Sequence, residues 1–222
     1  MRLALFDLDG TLIEKDSDHA FGEYMVARGW ADAQAFRDAN DRFYQQYQAG
    51  ALDIDAYIDF ATAPWRARSA AEQRAVIEGF MQEVMRPEIR NTARALVHRH
   101  LDAGDRVAIV TATNEFITRP IADEFGVSTL IATELARDGD GRADGRIRGV
   151  PSFREGKVAR VQHWLATQGS SLAACAHSVF YSDSTNDLAL LHAVSEPVAT
   201  NPSPALEAIA RERGWRILRL FE

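Results

Sequence analysis

Residues 3–12 read LALFDLDGTL, an apolar run that ends in two aspartates, Asp7 and Asp9, and continues into glycine and threonine. A short apolar run of this kind predicts a strand buried on both faces of a parallel sheet. Side chains two positions apart on a strand point the same way, so Asp7 and Asp9 can share one site. Two close carboxylates repel each other unless a cation or a shared proton relieves them. The stretch therefore predicts either a metal site or a pair formed by a nucleophile and an acid.

The composition is that of a globular protein. The chain has 222 residues, 46% of them hydrophobic, and a net charge of −7, which disfavours nucleic acid and anionic membranes as partners. A single cysteine, Cys175, excludes an intrachain disulfide and a multi-cysteine zinc site. No segment reads as a secretion signal or a membrane span, so we expect a cytoplasmic protein.

The chain divides into two kinds of sequence. Residues 18–86 repeat apolar positions at helical spacing without a strand candidate, and about four helices fit there. The predicted breaks between those helices are Gly29, Gly50 and Pro64. Elsewhere short strands alternate with helices, which predicts an α/β fold with a doubly wound parallel sheet. We expect a core domain of residues 1–15 and 87–222, with residues 16–86 inserted as an all-helical cap.

Polar residues follow several of the predicted strands. Thr111 follows the second strand, at residues 106–110, and Asp183 and Asp187 follow the fourth; Lys157 lies on the helix before it. Because the carboxyl ends of parallel strands share one edge, these side chains can converge on the two aspartates of the first strand. Between them, two Asp-Gly pairs at residues 138–141, within the polar segment 134–149, predict a hairpin.

The pattern Phe6-Asp7-Leu8-Asp9-Gly10-Thr11-Leu12 resembles the first motif of the haloacid dehalogenase superfamily. Thr111, Lys157 and residues 183–187 match the second, third and fourth motifs, in the family's order and over essentially the whole chain. Within the family the chain is most similar to phosphatases with a helical cap after the first motif, including the phosphoserine phosphatases. The resemblance implies a Mg²⁺-dependent phosphatase that forms an aspartyl-phosphate intermediate.

The resemblance also implies a role for the first two acids. Asp7 would attack phosphorus, which splits hydrolysis into two easier steps. Asp9 would protonate the leaving oxygen and then deprotonate the attacking water.

Further residues are implied for the metal and the phosphoryl group. The side chains of Asp7 and Asp183, with the main-chain carbonyl of Asp9, would bind Mg²⁺. Thr111 and Lys157 would hold the phosphoryl oxygens. Around them, metal-bound water would be oriented by Asn186 and Asp187.

The predicted substrate is a small amino-bearing phosphomonoester, with phosphoserine and histidinol phosphate as candidates. Asp16 falls nine residues after Asp7, where phosphoserine phosphatases carry a glutamate near the substrate ammonium. The segment 111–114 reads Thr-Ala-Thr-Asn and departs from the Ser-Gly-Gly of those enzymes. The candidate substrate-binding residues are Asp16, Asp18, His19, Ala112 and Asn114.

Other interpretations of these residues stay open. A phosphotransferase or mutase would use the same core chemistry, and a signalling module would stop at phosphorylated Asp7. A pure phospho-acceptor needs no acid or base at Asp9, and a cap that excludes water favours an enzyme. The spacing Ser184-x-x-Asp187 also fits a capping box, in which Asp187 would serve only the helix.

Overall fold

The computed structural model describes residues 1–221. These residues contain eight strands: β1 (Arg2–Phe6), β2 (Arg106–Asn114), β3 (Thr129–Thr133), β4 (Leu135–Arg137), β5 (Ala143–Ile147), β6 (His177–Ser182), β7 (Glu196–Thr200) and β8 (Arg216–Leu218). They also contain ten α-helices: α1 (Ser17–Ala27), α2 (Ala33–Gln48), α3 (Ile54–Arg66), α4 (Ala70–Phe80), α5 (Arg86–Glu88), α6 (Asn91–Asp102), α7 (Glu115–Glu124), α8 (Glu155–Ala166), α9 (Leu188–Ala193) and α10 (Pro204–Arg213).

Six of the strands form one parallel sheet in the order β3-β2-β1-β6-β7-β8, which confirms the predicted fold class. Along β1, Leu3 and Leu5 pack into the hydrophobic cluster on one face, and Ala4 and Phe6 into the cluster on the other. Helices cover both faces, so β1 is buried on both sides, as its continuous apolar run predicts. The strand order reverses between β1 and β6, and the carboxyl edge at such a point is where open α/β sheets bind ligands.

The cap contains four helices, α1 to α4, each preceded by a side chain that caps it. The capping side chains, each of which accepts a backbone N–H, are Asp16, Asp32, Asp53 and Ser69. The predicted break at Pro64 is wrong, because this proline lies inside α3, two residues before its end. Burial of the neighbouring Trp65, only 1% exposed, holds the helix together despite the hydrogen bond that proline removes. The chain turns instead at Ser69, whose hydroxyl forms a capping box with Glu72.

The predicted boundary at residue 87 falls inside a helical segment. After α4 the chain continues through a π-helical turn, Met81–Met85, directly into α5. Pro87 lies in the first turn of α5 and supplies no N–H to the helical turn before it. The helical path that leaves the cap therefore runs to Glu88.

Strand β2 is longer than the sequence predicts. The apolar run ends at Val110, but the strand continues to Asn114 with a shift in its register against β3 between these two residues. A bulge of this kind bends a strand and re-aims its side chains. The polar segment after Val110 is thereby part of the sheet edge instead of a loop.

Core and cap contact each other at several places. The predicted hairpin is confirmed as the antiparallel pair β4–β5, and a Cβ atom added to Gly145 of β5 would overlap the guanidinium of Arg66 in the cap. Trp65 of α3 stacks on Phe116 of α7 with ring centroids 4.1 Å apart. At the other side of the cap, the side chain of Arg154 donates to the carbonyl of Gly50.

None of the helices within residues 1–221 combines the length and the apolar character needed to cross a lipid bilayer.

Candidate active site

Asp7 and Asp183 lie on either side of one hydroxyl, at the reversal point of the sheet. The Oγ1 atom of Thr11 is 3.2 Å from Oδ2 of Asp7 and 3.4 Å from Oδ1 of Asp183. The turn that carries Thr11 needs glycine at position 10, because Gly10 has φ +73° and an added Cβ would lie 2.5 Å from Oδ2 of Asp183. The glycine therefore brings the ends of β1 and β6 into contact.

Lys157 connects the first and fourth motifs. Its Nζ donates to Oδ1 of Asp7 at 2.7 Å and to Oδ2 of Asp187 at 2.8 Å, and its side chain is 1% exposed. Ser182 donates to the same oxygen of Asp187 at 2.7 Å. Burial lowers the pKa of Lys157, but the charges of Asp187 and Asp7 outweigh burial and raise it above its usual range. Lys157 is therefore a permanent cation beside Asp7.

The carboxylate of Asp187 is used for this ion pair and not for a capping box. Ser184 has a capping role, since its Oγ accepts from the backbone N–H of Asn186 at 3.2 Å. No side chain within residues 1–221 caps α9, the helix that Asp187 precedes. The position of Asp187 thus favours the role that the resemblance implies over the purely helical one.

Asp9 is held in a fixed orientation by two donors. Its Oδ1 accepts from the backbone N–H of Ser17 at 2.7 Å, and its Oδ2 accepts from the hydroxyl of Thr113 at 3.0 Å. Burial, and next the charge of Asp16, raise the pKa of Asp9 to about 6. Sequence reasoning missed Thr113, although it lies two positions after Thr111 on one strand and so shares its side of the sheet edge.

The site carries more negative charge than its own residues neutralise. Burial raises the pKa of Asp7 to about 7 against the opposing charge of Lys157. Burial, followed by the charges of Asp7 and Asp187, raises the pKa of Asp183 well above its ordinary value. Asp7 and Asp183 face each other across the Thr11 hydroxyl, and hard oxygen ligands of this kind fit Mg²⁺.

The predicted Mg²⁺ site does not need a third acidic side chain beside Asp7 and Asp183. Within residues 1–221, no three side chains of the His, Cys, Asp or Glu types are grouped closely enough to hold a metal by themselves. The predicted set uses two carboxylates and one main-chain carbonyl, with water in the remaining positions, and Mg²⁺ commonly keeps several waters.

A cavity with an empty volume of about 530 Å³ lies between the sheet edge and the cap. The core side is lined by Asp7, Asp9, Thr111, Ala112 and Thr113. The cap side is lined by Asp16, Asp18, His19 and Asn40, and by the three tyrosines Tyr44, Tyr47 and Tyr57.

The predicted substrate-binding residues are in different environments. Asp16 caps α1 by accepting from the N–H of His19 at 2.9 Å, and Nε2 of His19 lies 2.9 Å from Oδ1 of Asp41. Asn114 is fully buried and does not line the cavity. The amide nitrogen of Asn186, the residue predicted to orient metal-bound water, donates to the carbonyl of Tyr47 in the cap at 2.9 Å.

One of these placements corrects the sequence-based expectation, that of Asn114 as a substrate-binding residue. Asn114 ends β2 after the bulge and is fully buried, and it is not among the residues that line the cavity with Thr111, Ala112 and Thr113. The carbonyl of Tyr47 that accepts from Asn186 lies in the last turn of α2 and also accepts from the backbone N–H of Gly50 at 3.0 Å.

The substitution Lys157→Met is expected to lower the free energy of unfolding by about 3–5 kcal/mol, because it leaves two buried carboxylates without their cation. Urea denaturation followed by circular dichroism measures this change. The matched control is Lys15→Met, which removes the other lysine of the chain, an exposed one paired with Glu88 at 2.7 Å. We expect the control to change stability by less than about 1 kcal/mol. Equal effects of the two substitutions would contradict the buried ion-pair interpretation.

The geometry and the four ordered motifs agree with a comparison against known families, in which residues 4–192 match the model of haloacid dehalogenase-like hydrolases. The chain belongs to this family. A histidinol-phosphatase of Neisseria meningitidis serogroup C (strain 8013) is 45% identical to it, over 97% of each chain. The phosphoserine phosphatase SerB1 of Mycobacterium tuberculosis (strain ATCC 25618 / H37Rv) is 34% identical, over 96% of this chain and 69% of that protein. These findings confirm that the chain is an enzyme, a hydrolase of the phosphatase class.

Solved structures show the same fold. A protein of unknown function from Bordetella pertussis Tohama I is 48% identical and superimposes with a TM-score of 0.93 over 99% of both chains. A substrate-bound phosphoserine phosphatase superimposes with a TM-score of 0.68 at 15% identity, over 97% of this chain and 91% of that one. At 15% identity, the similarity to this phosphoserine phosphatase shows a shared fold and nothing further.

Proposed function

We propose that the chain is a Mg²⁺-dependent phosphatase that hydrolyses a small amino-bearing phosphomonoester through an aspartyl-phosphate, with residues 16–86 acting as its cap. The observation that carries this proposal is the environment of Asp7. This carboxylate is 4% exposed, lines the cavity, and has Lys157 on one oxygen and Thr11 on the other. A nucleophile that must approach a phosphate dianion needs such fixed positive charge and orientation.

The reaction divides between the two motif acids. Asp7 attacks phosphorus while Lys157, with Thr111 at the cavity wall, holds the phosphoryl oxygens. Asp9 is oriented by Ser17 and Thr113, and its pKa of about 6 suits a group that donates a proton and takes one back near neutral pH. When bound, Mg²⁺ would neutralise the carboxylates of Asp7 and Asp183 and the phosphoryl oxygens.

Histidinol phosphate is the substrate that we favour within this class. The meningococcal relative carries the name histidinol-phosphatase and matches over 97% of each chain, whereas this chain covers only 69% of the mycobacterial phosphoserine phosphatase. The cap side of the cavity presents two carboxylates, Asp16 and Asp18, which suit a cationic metabolite.

A comparison of three substrates in the presence of Mg²⁺ tests this proposal. We expect kcat/KM to be largest for histidinol phosphate, smaller for phosphoserine and smallest for p-nitrophenyl phosphate, because only the first two carry an amine that the cap carboxylates can bind. Release of inorganic phosphate is the measurement, since a phosphotransferase would pass the group to an added alcohol. A larger kcat/KM for phosphoserine than for histidinol phosphate would contradict the choice of histidinol phosphate as the substrate. Failure to hydrolyse any of the three phosphomonoesters would overturn the phosphatase proposal.

A further inference from the structure

The three tyrosines on the cap side of the cavity differ in what their hydroxyls contact. The hydroxyl of Tyr57 is hydrogen-bonded to the carboxyl of Asp18, and that of Tyr44, on α2, is hydrogen-bonded to Gln48. Tyr47 lies on α2 as well, and within residues 1–221 it contacts the rest of the chain through its ring and its main chain, not through its hydroxyl. A phenol hydroxyl at a cavity wall without such a partner is available to a ligand.

The hydroxyl of Tyr47 lies on the side of the cavity where the reaction takes place. The three carboxylates whose charges act most strongly on it are, in order, those of Asp7, Asp187 and Asp183. Asp7 is the proposed nucleophile and Asp183 a proposed metal ligand, and Tyr47 lines the cavity together with Asp7 and Thr111. Burial, and next the charge of Asp7, raise the pKa of Tyr47 well above its usual range, so its hydroxyl keeps the proton. The cap thus supplies a neutral O–H donor near the position of the phosphoryl group.

The end of α2 that carries Tyr47 is fixed to the core at three points. The rings of Tyr47 and Phe153 lie with centroids 6.0 Å apart, and the carbonyl of Tyr47 accepts from Asn186 at 2.9 Å. Beside them, the guanidinium of Arg154 donates to the carbonyl of Gly50. Phe153 and Arg154 directly precede α8, and Asn186 lies in the turn before α9. Helix α2 is therefore docked on the two segments that carry the buried lysine and its second carboxylate partner.

The other polar donors of the cap side already have partners. Within the part of the chain that the structure describes, neither lysine nor arginine lines the cavity. The amide nitrogen of Asn40 donates to the carbonyl of His19 at 3.3 Å, and the ring of His19 lies against Asp41. Tyr47 is therefore the cap residue best placed to donate to phosphoryl oxygens that face away from the sheet.

We propose that the hydroxyl of Tyr47 donates a hydrogen bond to a non-bridging phosphoryl oxygen of the substrate, as a catalytic residue that the cap supplies. This rests on the proposed phosphatase function and deepens it, because it makes binding of the phosphoryl group depend on the position of α2. A hydrogen bond to a charged phosphoryl oxygen is stronger than one between neutral groups, and it acts in the transition state as well. Every phosphomonoester has these oxygens, so the contact does not depend on the organic part of the substrate.

Binding of inorganic phosphate to the Mg²⁺-loaded protein tests this contact without any turnover. In the variant Tyr47→Phe the ring can still pack on Phe153 and the carbonyl can still accept from Asn186, so only the hydroxyl is removed. Isothermal titration calorimetry should show a phosphate affinity about tenfold to a hundredfold below that of the wild type, the scale of one hydrogen bond to a charged group. An unchanged phosphate affinity would overturn the proposal.

Tyr24→Phe is the matched control. Tyr24 also belongs to the cap, but its hydroxyl donates to Glu83 at 3.1 Å and it does not line the cavity. The control should lower the melting temperature and change the phosphate affinity by less than about twofold, because it removes a hydrogen bond of the fold. Tyr47→Phe should not melt below the wild type, since its hydroxyl makes no such bond. Equal losses of phosphate affinity in the two variants would indicate a general effect on the cap and contradict the proposal.

Kinetics locate the contact on the phosphoryl group. Tyr47→Phe should lower kcat/KM for p-nitrophenyl phosphate and for histidinol phosphate by the same factor, about tenfold to a hundredfold, at an unchanged Mg²⁺ requirement. A loss confined to histidinol phosphate would place the hydroxyl at the organic part of the substrate. A raised Mg²⁺ requirement at unchanged phosphate affinity would place it at metal-bound water, and either result contradicts the proposal. If the wild type hydrolysed neither ester, the function proposal would fail, while calorimetry with phosphate would still judge Tyr47.

Arg154 is a positioning residue in this arrangement, because it holds the end of α2 through the carbonyl of Gly50. Arg154→Ala should lower the phosphate affinity about threefold to tenfold in the wild type but not in Tyr47→Phe, where the hydroxyl that it positions is absent. A double-mutant cycle of the phosphate affinities measures this coupling. Equal factors in the two backgrounds would mean that Arg154 acts on phosphate by another route, against the proposed positioning of Tyr47.

Discussion

The substitution Asp7→Asn is expected to abolish turnover, with kcat for p-nitrophenyl phosphate falling by at least about ten-thousandfold, the scale seen when a catalytic nucleophile is removed. The amide has nearly the same shape as the carboxylate but cannot attack phosphorus. The fold should survive, because Lys157 keeps Asp187 as a partner at 2.7 Å. Steady-state kinetics and a circular dichroism melt measure the two effects. Near-wild-type hydrolysis by a folded variant would show that Asp7 is not the nucleophile.

Asp9→Asn is the matched comparison for this experiment. The amide oxygen can still accept from Ser17, so the turn should stay in place. Because p-nitrophenolate leaves without a proton, the variant should still be phosphorylated by p-nitrophenyl phosphate and fail mainly with alkyl phosphates, whose leaving oxygen must be protonated. Equal losses for both kinds of ester would argue against Asp9 as the general acid.

Removal of the metal is the second large effect that we expect. A chelator should abolish activity and added Mg²⁺ should restore it, because two buried carboxylates beside a phosphate dianion repel each other without a cation. Ca²⁺ should inhibit, since its larger and more flexible shell of ligands misplaces the nucleophile. Full activity in the presence of chelator would overturn the metal proposal.

Two alanine variants locate the metal. Asp183→Ala should raise the Mg²⁺ concentration needed for half-maximal activity far more than Asp187→Ala does. The reason is geometric: Asp183 faces Asp7 across Thr11, whereas Asp187 is bonded to Lys157 and Ser182. Asp187→Ala should instead destabilise the fold. If Asp187→Ala raised the required Mg²⁺ concentration more than Asp183→Ala did, Asp187 would be the metal ligand instead of Asp183.

Features that depend on local sequence could be predicted. The continuous apolar run before Asp7 shows a strand buried on both faces, and a parallel sheet brings the ends of β1, β2 and β6 to one edge without further information. The convergence of Asp7, Lys157 and Asp183 follows from that topology. Their roles came from the resemblance to the family's ordered motifs, which these residues match in type, order and spacing.

Features that depend on tertiary contacts could not be predicted from the sequence. Pro64 remains helical because Trp65 is buried against another part of the chain, which no local signal reveals. The turn of Asn186 towards the cap depends on where α2 ends in space. The burial of Asp18 at the wall of the cavity is visible only in the fold, since the sequence shows an aspartate in a first helical turn, where it could equally serve the helix dipole.

The shared hydrophobic core of cap and sheet determines how substrate can enter. Trp65 and Phe21 of the cap both pack on Phe116 of the core, so a swing of the whole cap would expose aromatic rings to water. Helix α2 is different, because it buries only Phe36 and Asn40. The entrance is therefore expected to open by displacement of this single helix, which also carries Tyr47 and its contact with the loop of Asp183. Helix α2 is hydrogen-bonded through Tyr47 to Asn186, in the segment that follows Asp183. Binding of phosphate near Asp183 is therefore expected to change the position of α2 as well.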